Sequence, residues 1–304
     1  MVRYIGRRIL LAMLTLFVLA SLTFFLVKIL PGNPLADEMV PFEIRQRQMA
    51  YYGLDKPIWE QYSSYLINIL KGDLGASLKY LGRNVTTIIA ETFPISAALG
   101  LQALIYAEII GLTFGIISSQ FRNKWPDYLI MFFAILGVGL PSMVVGPLVR
   151  YIFGVQLRLL PATGWGTWQQ SIMPIFVMAL GRVAGVTRGM RASMLGTSTL
   201  DFIKTARSKG LTTAKVVMRH QFKNSLIPMV TGLGPAIAGI IMGSLVVEQI
   251  FVIPGLGRHF VMAVTSLDYP MVMGLTIFYG AFLVVMTLLV DIAYAFLDPR
   301  IRFD

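Results

Sequence analysis

The run ILLAMLTLFVLASLTFFLVKIL, residues Ile9–Leu30, carries no charge until Lys28. A bilayer core is about 30 Å thick and takes about 20 apolar helical residues to cross, so this run is long enough to span a membrane. It is too long for the apolar part of a secretory signal peptide, and no small-residue cleavage site follows it. We therefore predict an uncleaved first transmembrane helix.

Five further segments have the length and composition of membrane spans. They are Ile95–Ser119, Tyr128–Phe153, Ile172–Val186 with an extension to about Met190, Leu226–Val252 and Met271–Leu297. The fourth of the six spans is the weakest, because it contains Arg182. Pro94 is expected to begin the second span. Glycine and proline inside the spans are tolerated because neighbouring helices satisfy the freed backbone groups.

Composition supports a membrane fold and excludes several kinds of site. The chain is 56% hydrophobic and 13% charged, whereas a soluble domain is about 25% charged. It has no cysteine and two histidines, His220 and His259, which excludes a disulfide framework, a thiolate metal site and a polyhistidine metal centre. The sequence predicts an all-α integral membrane protein with six transmembrane helices and no metal or cofactor of its own.

The basic residues lie mostly on one predicted side of the membrane. The net charge is +11, and fifteen of the 26 Lys and Arg residues fall in the termini and in the second and fourth connections. Six spans place these four regions together, and the positive-inside rule makes that side cytoplasmic. Topology therefore explains the basic excess, and no basic face with interleaved aromatic residues indicates nucleic-acid binding.

The opposite side holds a long segment, Pro31–Phe93, with seven acidic and six basic residues. Its amphipathic stretch Ile58–Leu70 predicts a short helix, and Asn84–Thr92 is a candidate for another. Four side chains can form a small apolar cluster: Trp59, Tyr62, Tyr65 and Leu66. We predict an external subdomain at 31–93, between a cytoplasmic N-terminus with the first helix at 1–30 and a five-helix core at 94–304.

The cytoplasmic loop 188–225 contains capping and turn residues that predict a helix, a turn and a second helix. Ser198 is a candidate N-cap, with Asp201 three residues later as in a capping box. Gly210 stands where a helix stops in the left-handed conformation. One apolar stripe is formed by Leu200, Ile203 and Ala206. Such a short helix either lies in the lipid interface or docks into a groove of a cytoplasmic protein, and the pattern alone does not separate the two.

Two segments of this loop carry a resemblance to a known family. FIKTARSKGL, residues Phe202–Leu211, and NSLIP, residues Asn224–Pro228, resemble the coupling loop of binding-protein-dependent ABC importer permeases. Further segments resemble the first, B-type permease of the oligopeptide/dipeptide group: Leu30–Pro34, Gly53–Pro57, Gly72–Gly75, Thr187–Leu195, Glu248–Arg258, Asp268–Pro270 and Asp298–Arg302. Where the wider superfamily has Glu-Ala-Ala, this chain has Lys204-Thr205-Ala206, which is usual for the peptide group.

The resemblance implies a type I ABC importer permease that forms half of a pathway for peptides across a bacterial plasma membrane, with both termini cytoplasmic. The implied partners are a second, similar permease in a heterodimer, two cytoplasmic ATPases that bind ATP and Mg, and an external substrate-binding lipoprotein or periplasmic protein. Related permeases carry nickel chelates or glutathione, so the substrate stays open between these and peptides.

The resemblance also assigns a role to the loop helix, which would seat in a cleft on one ATPase and move as a lever. The residues concerned are Asp201, Lys204, Thr205, Ala206, Arg207, Lys209, Gly210 and Leu211. Ala206 and Gly210 rank first, because their small size leaves room for close approach.

Charges inside membrane spans are functional candidates. Glu108 and Arg182 both fall near the middle of their spans and can pair across helices, either to hold the bundle together or to offer a polar wall to a peptide. Glu248, near an external end, is a third candidate for the pathway.

Two other function classes were weighed against the permease. A proton-coupled secondary transporter could use Glu108 as a proton carrier, but no matching halves are visible in the sequence. An enzyme has less support, because no base lies beside a nucleophile and no Gly-rich phosphate loop precedes Lys-Ser or Lys-Thr.

Overall fold

A computed structural model describes residues 2–29, 53, 56–80, 82–242 and 244–297, which are mostly helical, with one isolated bridge between Ala76 and Asn84. The helices are α1 (Val2–Ile29), α2 (Ile58–Leu70), α3 (Val85–Gln120), α4 (Trp125–Gly139), α5 (Ser142–Val149), a π-helix (Arg150–Gln156), α6 (Trp168–Ser198), α7 (Asp201–Ser208), α8 (Thr213–Lys215), a second π-helix (Val216–Gln221), α9 (Phe222–Ser225), α10 (Ile227–Thr231), α11 (Leu233–Met242), α12 (Ser244–Phe251), α13 (Leu256–Thr265) and α14 (Tyr269–Leu297).

Four of these helices are long and apolar enough to cross a membrane by themselves, namely α1, α3, α6 and α14. Two pairs of shorter helices pass the same test only jointly, which gives up to six candidate spans if each bent pair counts as one span. The all-α, multi-span fold predicted from the sequence is confirmed. The resemblance segments Leu30–Pro34 and Asp298–Arg302, and most of the predicted external subdomain before Lys56, lie outside the described residues.

Two predicted boundaries were wrong. Pro94 does not begin the second span, because α3 continues through it from Val85 and absorbs the separate helix predicted at Asn84–Thr92. A proline removes a single hydrogen bond from a helix of 36 residues. The fifth predicted span, Leu226–Val252, is divided among α10, α11 and α12, with Gly232 between the first two. Its glycines and prolines favour such interruptions.

The described residues form two compact units, the first of which comprises 1–96 and 254–304. In this unit, aromatic rings of α2 pack on the C-terminal end of α1. Tyr62 lies 5.4 Å from Phe24 and 5.3 Å from Phe25 between ring centroids, and Tyr65 stacks on Phe24 at 5.5 Å. The aromatic cluster predicted from the sequence therefore forms, but around two phenylalanines of α1.

Asp268 fixes the start of α14 in the same unit and is 1% exposed. Its carboxylate accepts hydrogen bonds from the backbone of Leu78 (3.1 Å) and of Met271 (3.3 Å), and from the hydroxyl of Ser77. The bond to Met271 caps the helix N-terminus, so one side chain anchors both the helix and the external segment before α3.

The second unit comprises residues 97–253 and is arranged around α6. Close approach of α3 and α4 to α6 depends on glycine. A Cβ atom on Gly115 would lie 2.6 Å from the Cβ of Met190, and one on Gly137 would lie 3.1 Å from the carbonyl oxygen of Leu180. Small residues permit this approach in membrane helices, where dispersion contacts replace the hydrophobic effect as the packing force.

The third predicted span is broken at its centre. α4 ends at Gly139, and the helical segment Ser142–Gln156 leaves it at an angle of 106°. Pro141 stands at the break as the N-cap residue of α5, where its fixed φ of −61° suits the start of a helix. The glycines and prolines of this span therefore coincide with a sharp bend.

Candidate functional site

The loop 188–225, which the sequence predicts to be cytoplasmic, folds as a hairpin. We call it the coupling hairpin after the role that the resemblance predicts for it. It consists of the end of α6, the short helix α7, a turn at Gly210, and a returning arm of α8, the second π-helix and α9. The predicted order of helix, glycine turn and helix is confirmed. Gly210 has φ +74°, whereas a Cβ atom there would meet nothing within 4 Å. Within this chain, glycine is therefore required for its backbone conformation rather than for its small volume.

The predicted N-cap of the loop helix was wrong. Ser198 belongs to the last turn of α6, where its hydroxyl donates to the carbonyl of Leu195 at 2.6 Å. Leu200 holds the N-cap position of α7 without a capping side-chain bond. Asp201 begins the helix, a favourable position for an acid beside the helix dipole, and forms an exposed ion pair of 2.8 Å with Lys204.

The two faces of α7 differ sharply in burial. Ile203 and Ala206 are 0% and 5% exposed and pack with Val216 and Leu211 of the returning arm. The remaining predicted coupling residues of the helix and its turn are exposed: Asp201, Lys204, Thr205, Arg207, Lys209 and Gly210. Ala206 therefore faces the interior of the hairpin, where its small side chain lets α7 lie close to the returning arm.

Polar bonds fasten the returning arm to α6. The amide of Gln221, 3% exposed, donates to the carbonyl of Met194 at 2.7 Å. The hydroxyls of Ser225 and Thr197 are 3.0 Å apart, and the hydroxyl of Ser193 donates to the carbonyl of Ser225 at 3.0 Å. Since breaking a buried hydrogen bond leaves its partner unsatisfied, these bonds resist separation of the arm from α6.

An apolar cluster connects the same region to α3. Met190, Met194 and Val217 are buried together, and the partly buried residues around them include Leu112 and Ile116 of α3. The base of the coupling hairpin is thus packed on a membrane helix. Contacts thus run without a break from α7 through the returning arm to the end of α6.

Within the membrane, the structure brings Glu108 and Arg182 together as an ion pair. Nε and Nη2 of Arg182 lie 2.9 Å and 2.5 Å from the same oxygen, Oε1 of Glu108. The arginine side chain is 26% exposed and the glutamate 17%. Glu248 is fully buried on α12, and its backbone carbonyl accepts a bond from Ile253 at 2.9 Å.

Sequence reasoning missed a second arginine pair on α6. Nε and Nη2 of Arg191 each lie 2.7 Å from a different oxygen of Asp127, which is 2% exposed. The same carboxylate accepts bonds from the Ser118 hydroxyl and from the Asn123 backbone, the latter at 3.0 Å. No local sequence pattern connects Asp127 to an arginine 64 residues away.

Two family models match the chain. One describes the binding-protein-dependent transport system inner membrane component and matches residues 111–303. The other describes the N-terminal part of such membrane components and matches residues 1–100.

Relatives extend over the whole chain. The dipeptide transport system permease protein DppB of Lactococcus lactis subsp. cremoris is 41% identical over 99% of this chain and 100% of its own length. The oligopeptide transport system permease protein OppB of Haemophilus influenzae is 40% identical over the full length of both chains. The Bacillus subtilis DppB is 40% identical over 99% of this chain and 98% of its own.

A solved structure shares the fold. A chain of the MetNI methionine ABC transporter, in an inward-facing conformation, matches 68% of this chain and 92% of its own length with a TM-score of 0.52. Its sequence identity is 15%, so this likeness concerns the fold alone.

Proposed function

Because this chain belongs to the family of binding-protein-dependent transport system inner membrane components, we propose that it is the B-type permease subunit of an ATP-driven importer of dipeptides or oligopeptides. The observation that carries the proposal is identity of 40–41% over the full length of permeases named for dipeptide and oligopeptide transport. These names favour peptides over the nickel chelates and glutathione that the sequence left open. The family match also favours ATP-driven import over proton-coupled transport.

The partners follow from this assignment. A second permease completes the pathway, and an external binding protein delivers the peptide. Two cytoplasmic ATPases bind ATP and Mg and hydrolyse the ATP. The host is a bacterial plasma membrane, with the basic coupling hairpin and both termini on the cytoplasmic side.

We assign ATPase docking to the exposed face of α7. Asp201, Thr205 and Ser208 follow one another at four and three residues, which places them along one side of a helix. Ile203 and Ala206 occupy the opposite, buried side. Thr205 is the centre of this docking face, Lys204 and Arg207 flank it with positive charge, and Ala206 supports it from behind.

The membrane charges receive different roles. Glu108 and Arg182 neutralise each other, which supports a role in holding α3 against α6 and leaves little charge to attract a peptide. Glu248 stays a candidate for the pathway because it is an ionisable residue inside an apolar span.

The first experiment is a mild-detergent pull-down of the tagged chain from its native membrane, followed by reconstitution of the recovered proteins in liposomes. We expect a second permease and ATPases at near-equal amounts, and uptake of labelled peptide that requires ATP and the binding protein. Recovery of the chain alone, or with copies of itself, would contradict the proposal and return a proton-coupled transporter to consideration.

The docking face is tested by Thr205→Arg. Thr205 points away from the hairpin interior, so the variant should insert and unfold like the wild type while import falls by about tenfold or more, in the range of interface residues whose loss costs 1–2 kcal/mol. Gln120→Arg adds the same charge at another exposed cytoplasmic position, the end of α3, and serves as the control. Equal import by both variants would show that Thr205 does not touch the ATPase.

A further inference from the structure

We propose that Asp127 and Arg191 are a positioning pair, the joint through which displacement of the coupling hairpin reaches α3 and α4. This inference rests on the proposed function. It assigns the pair a part in coupling ATP hydrolysis to transport, with no contact to peptide or nucleotide.

The first observation is that the carboxylate of Asp127 accepts hydrogen bonds from three different segments of the second unit. Asp127 stands in the first turn of α4, and its oxygens accept bonds from Ser118 at the end of α3 and from Asn123 in the turn between them. Arg191 adds a two-pronged contact from α6, 2.7 Å at each prong. The carboxylate is therefore fully engaged, and its four donors come from three different segments.

The second observation is the place of Arg191 on α6. It follows Met190 directly and lies three residues before Met194, and both methionines pack with Val217 of the returning arm. Gln221 fastens the same arm to the carbonyl of Met194. A force applied to α7 therefore arrives on α6 within one turn of Arg191, where the ion pair transfers it to α4.

The physical chemistry of buried ion pairs supports a geometric role. Such a pair adds little net stability compared with apolar residues of the same volume, because desolvation offsets the Coulomb attraction. The pair instead fixes the relative orientation of the two side chains, because the planar guanidinium fits a carboxylate in one orientation. Apolar packing at this point would hold the helices together but would let α6 turn or slide against α4.

The test uses the full importer in liposomes and measures peptide imported per ATP hydrolysed. Arg191→Lys keeps the charge but loses the two-pronged contact, and Asp127→Asn keeps the shape but loses the charge. We expect both to lower the ratio by about tenfold, within the range known for residues that modulate coupling between sites, while ATP hydrolysis continues. Glu91→Gln, which breaks an exposed ion pair with Arg83 in the first unit, is the control and should leave the ratio unchanged.

A double variant, Asp127→Leu with Arg191→Met, separates positioning from stability. It leaves no unpaired buried charge, so we expect normal insertion and an unfolding temperature near that of the wild type, but still a low ratio. A wild-type ratio in this variant would overturn the proposal, as would a parallel fall of import and hydrolysis in the single variants. Failure of the proposed function would instead appear in the wild-type chain as an absence of ATP-driven import. That result would contradict both the proposed function and the role of the Asp127–Arg191 pair.

A distance measurement tests the joint directly. The chain has no cysteine, so spin labels at Tyr128→Cys on α4 and Met218→Cys on the returning arm, which are 64% and 55% exposed, would be the only ones in this subunit. If the joint is firm, the distance between the labels stays the same with and without trapped nucleotide, and Asp127→Asn makes it differ between the two states. A wild-type distance that changes as much as that of the variant would overturn the proposal.

Discussion

The two halves of α6 carry one arginine pair each, and the pairs are built differently. Arg182 and Arg191 are nine residues apart, which at 1.5 Å and 100° per residue separates them by about 13 Å and half a turn. In the membrane half, Arg182 approaches one oxygen of a partly exposed Glu108. In the C-terminal half, which the proposed topology places at the cytoplasmic side and which we call the cytoplasmic half, Arg191 holds both oxygens of the buried Asp127.

This difference shows which pair constrains the helix. Two donors that converge on one oxygen hold the guanidinium near it but leave the carboxylate free to rotate about that oxygen. A two-pronged contact to a carboxylate that is also bonded by Ser118 and Asn123 fixes position and orientation together. The membrane half of α6 is instead positioned by shape, through the glycines of α3 and α4. The cytoplasmic half, which bears the coupling hairpin, is positioned by charge.

Asp127→Ala should have the largest effect on stability. It leaves the guanidinium of Arg191 without its carboxylate beside buried apolar residues, and breaking one side of a buried pair costs about 3–5 kcal/mol. Because the Arg191 side chain is 25% exposed, we expect the low end of that range. Thermal unfolding in detergent measures it, and a midpoint equal to that of the wild type would mean that the pair constrains nothing.

Gly111→Leu tests positioning by shape in the membrane half. Its side chain would collide with the Cβ of Val186 at 2.7 Å and the carbonyl oxygen of Val183 at 3.1 Å. Overpacking of this kind costs about 1–3 kcal/mol, which we expect as a lower unfolding midpoint. Gly185→Leu is a matched control on α6, since a Cβ there meets nothing within 4 Å. Equal loss in both variants would show that leucine itself, and not the close approach of α3, is responsible.

Gly210→Ala should have a smaller effect, confined to the coupling hairpin. The φ of +74° is unfavourable for alanine by about 1 kcal/mol, so α7 should end less firmly and import should fall several-fold. Gly210→Asn should lose less, because asparagine tolerates the left-handed region. Peptide import by reconstituted importers ranks the two variants, and the reverse order would contradict a conformational requirement at this position.

Glu108→Gln should have the smallest effect. The amide keeps a hydrogen bond to Arg182 and loses the Coulomb attraction of a partly exposed pair, worth about 1 kcal/mol. We expect an unfolding midpoint within a few degrees of the wild type and continued import. A loss as large as that of Asp127→Ala would erase the distinction between the two halves of α6.

The sequence predicted much of the fold because its signals are local. A membrane span is recognised from some 20 consecutive apolar residues. The turn at Gly210 was predicted because the glycine follows a short helical stretch. The helix Ile58–Leu70 was predicted with its observed bounds. Predicted helix boundaries were wrong where tertiary packing overrides local capping and helix-breaking residues. α3 continues through Pro94, and Ser198 extends α6 instead of capping α7.

The candidate site was predicted in part. Of the predicted stripe of Leu200, Ile203 and Ala206, the last two share one buried face, whereas Leu200 stands at the N-cap and is 47% exposed. Burial against Val216 depends on how the returning arm folds back. Glu108 and Arg182 were candidates for pairing because charge inside a span is rare. Asp127 and Arg191 gave no such signal, since both stand among many cytoplasmic charges.

By itself, the sequence determined that this protein is a multi-span membrane protein, and it determined its family, because composition and motifs are properties of contiguous residues. The orientation of the spans, taken from the charge asymmetry, stays a prediction. Tertiary structure alone decided which charges meet, which face of α7 is exposed, and which half of α6 is positioned by charge. These are contacts between residues far apart in the chain. Their partners are selected by the packing of whole helices, so no local pattern can specify them.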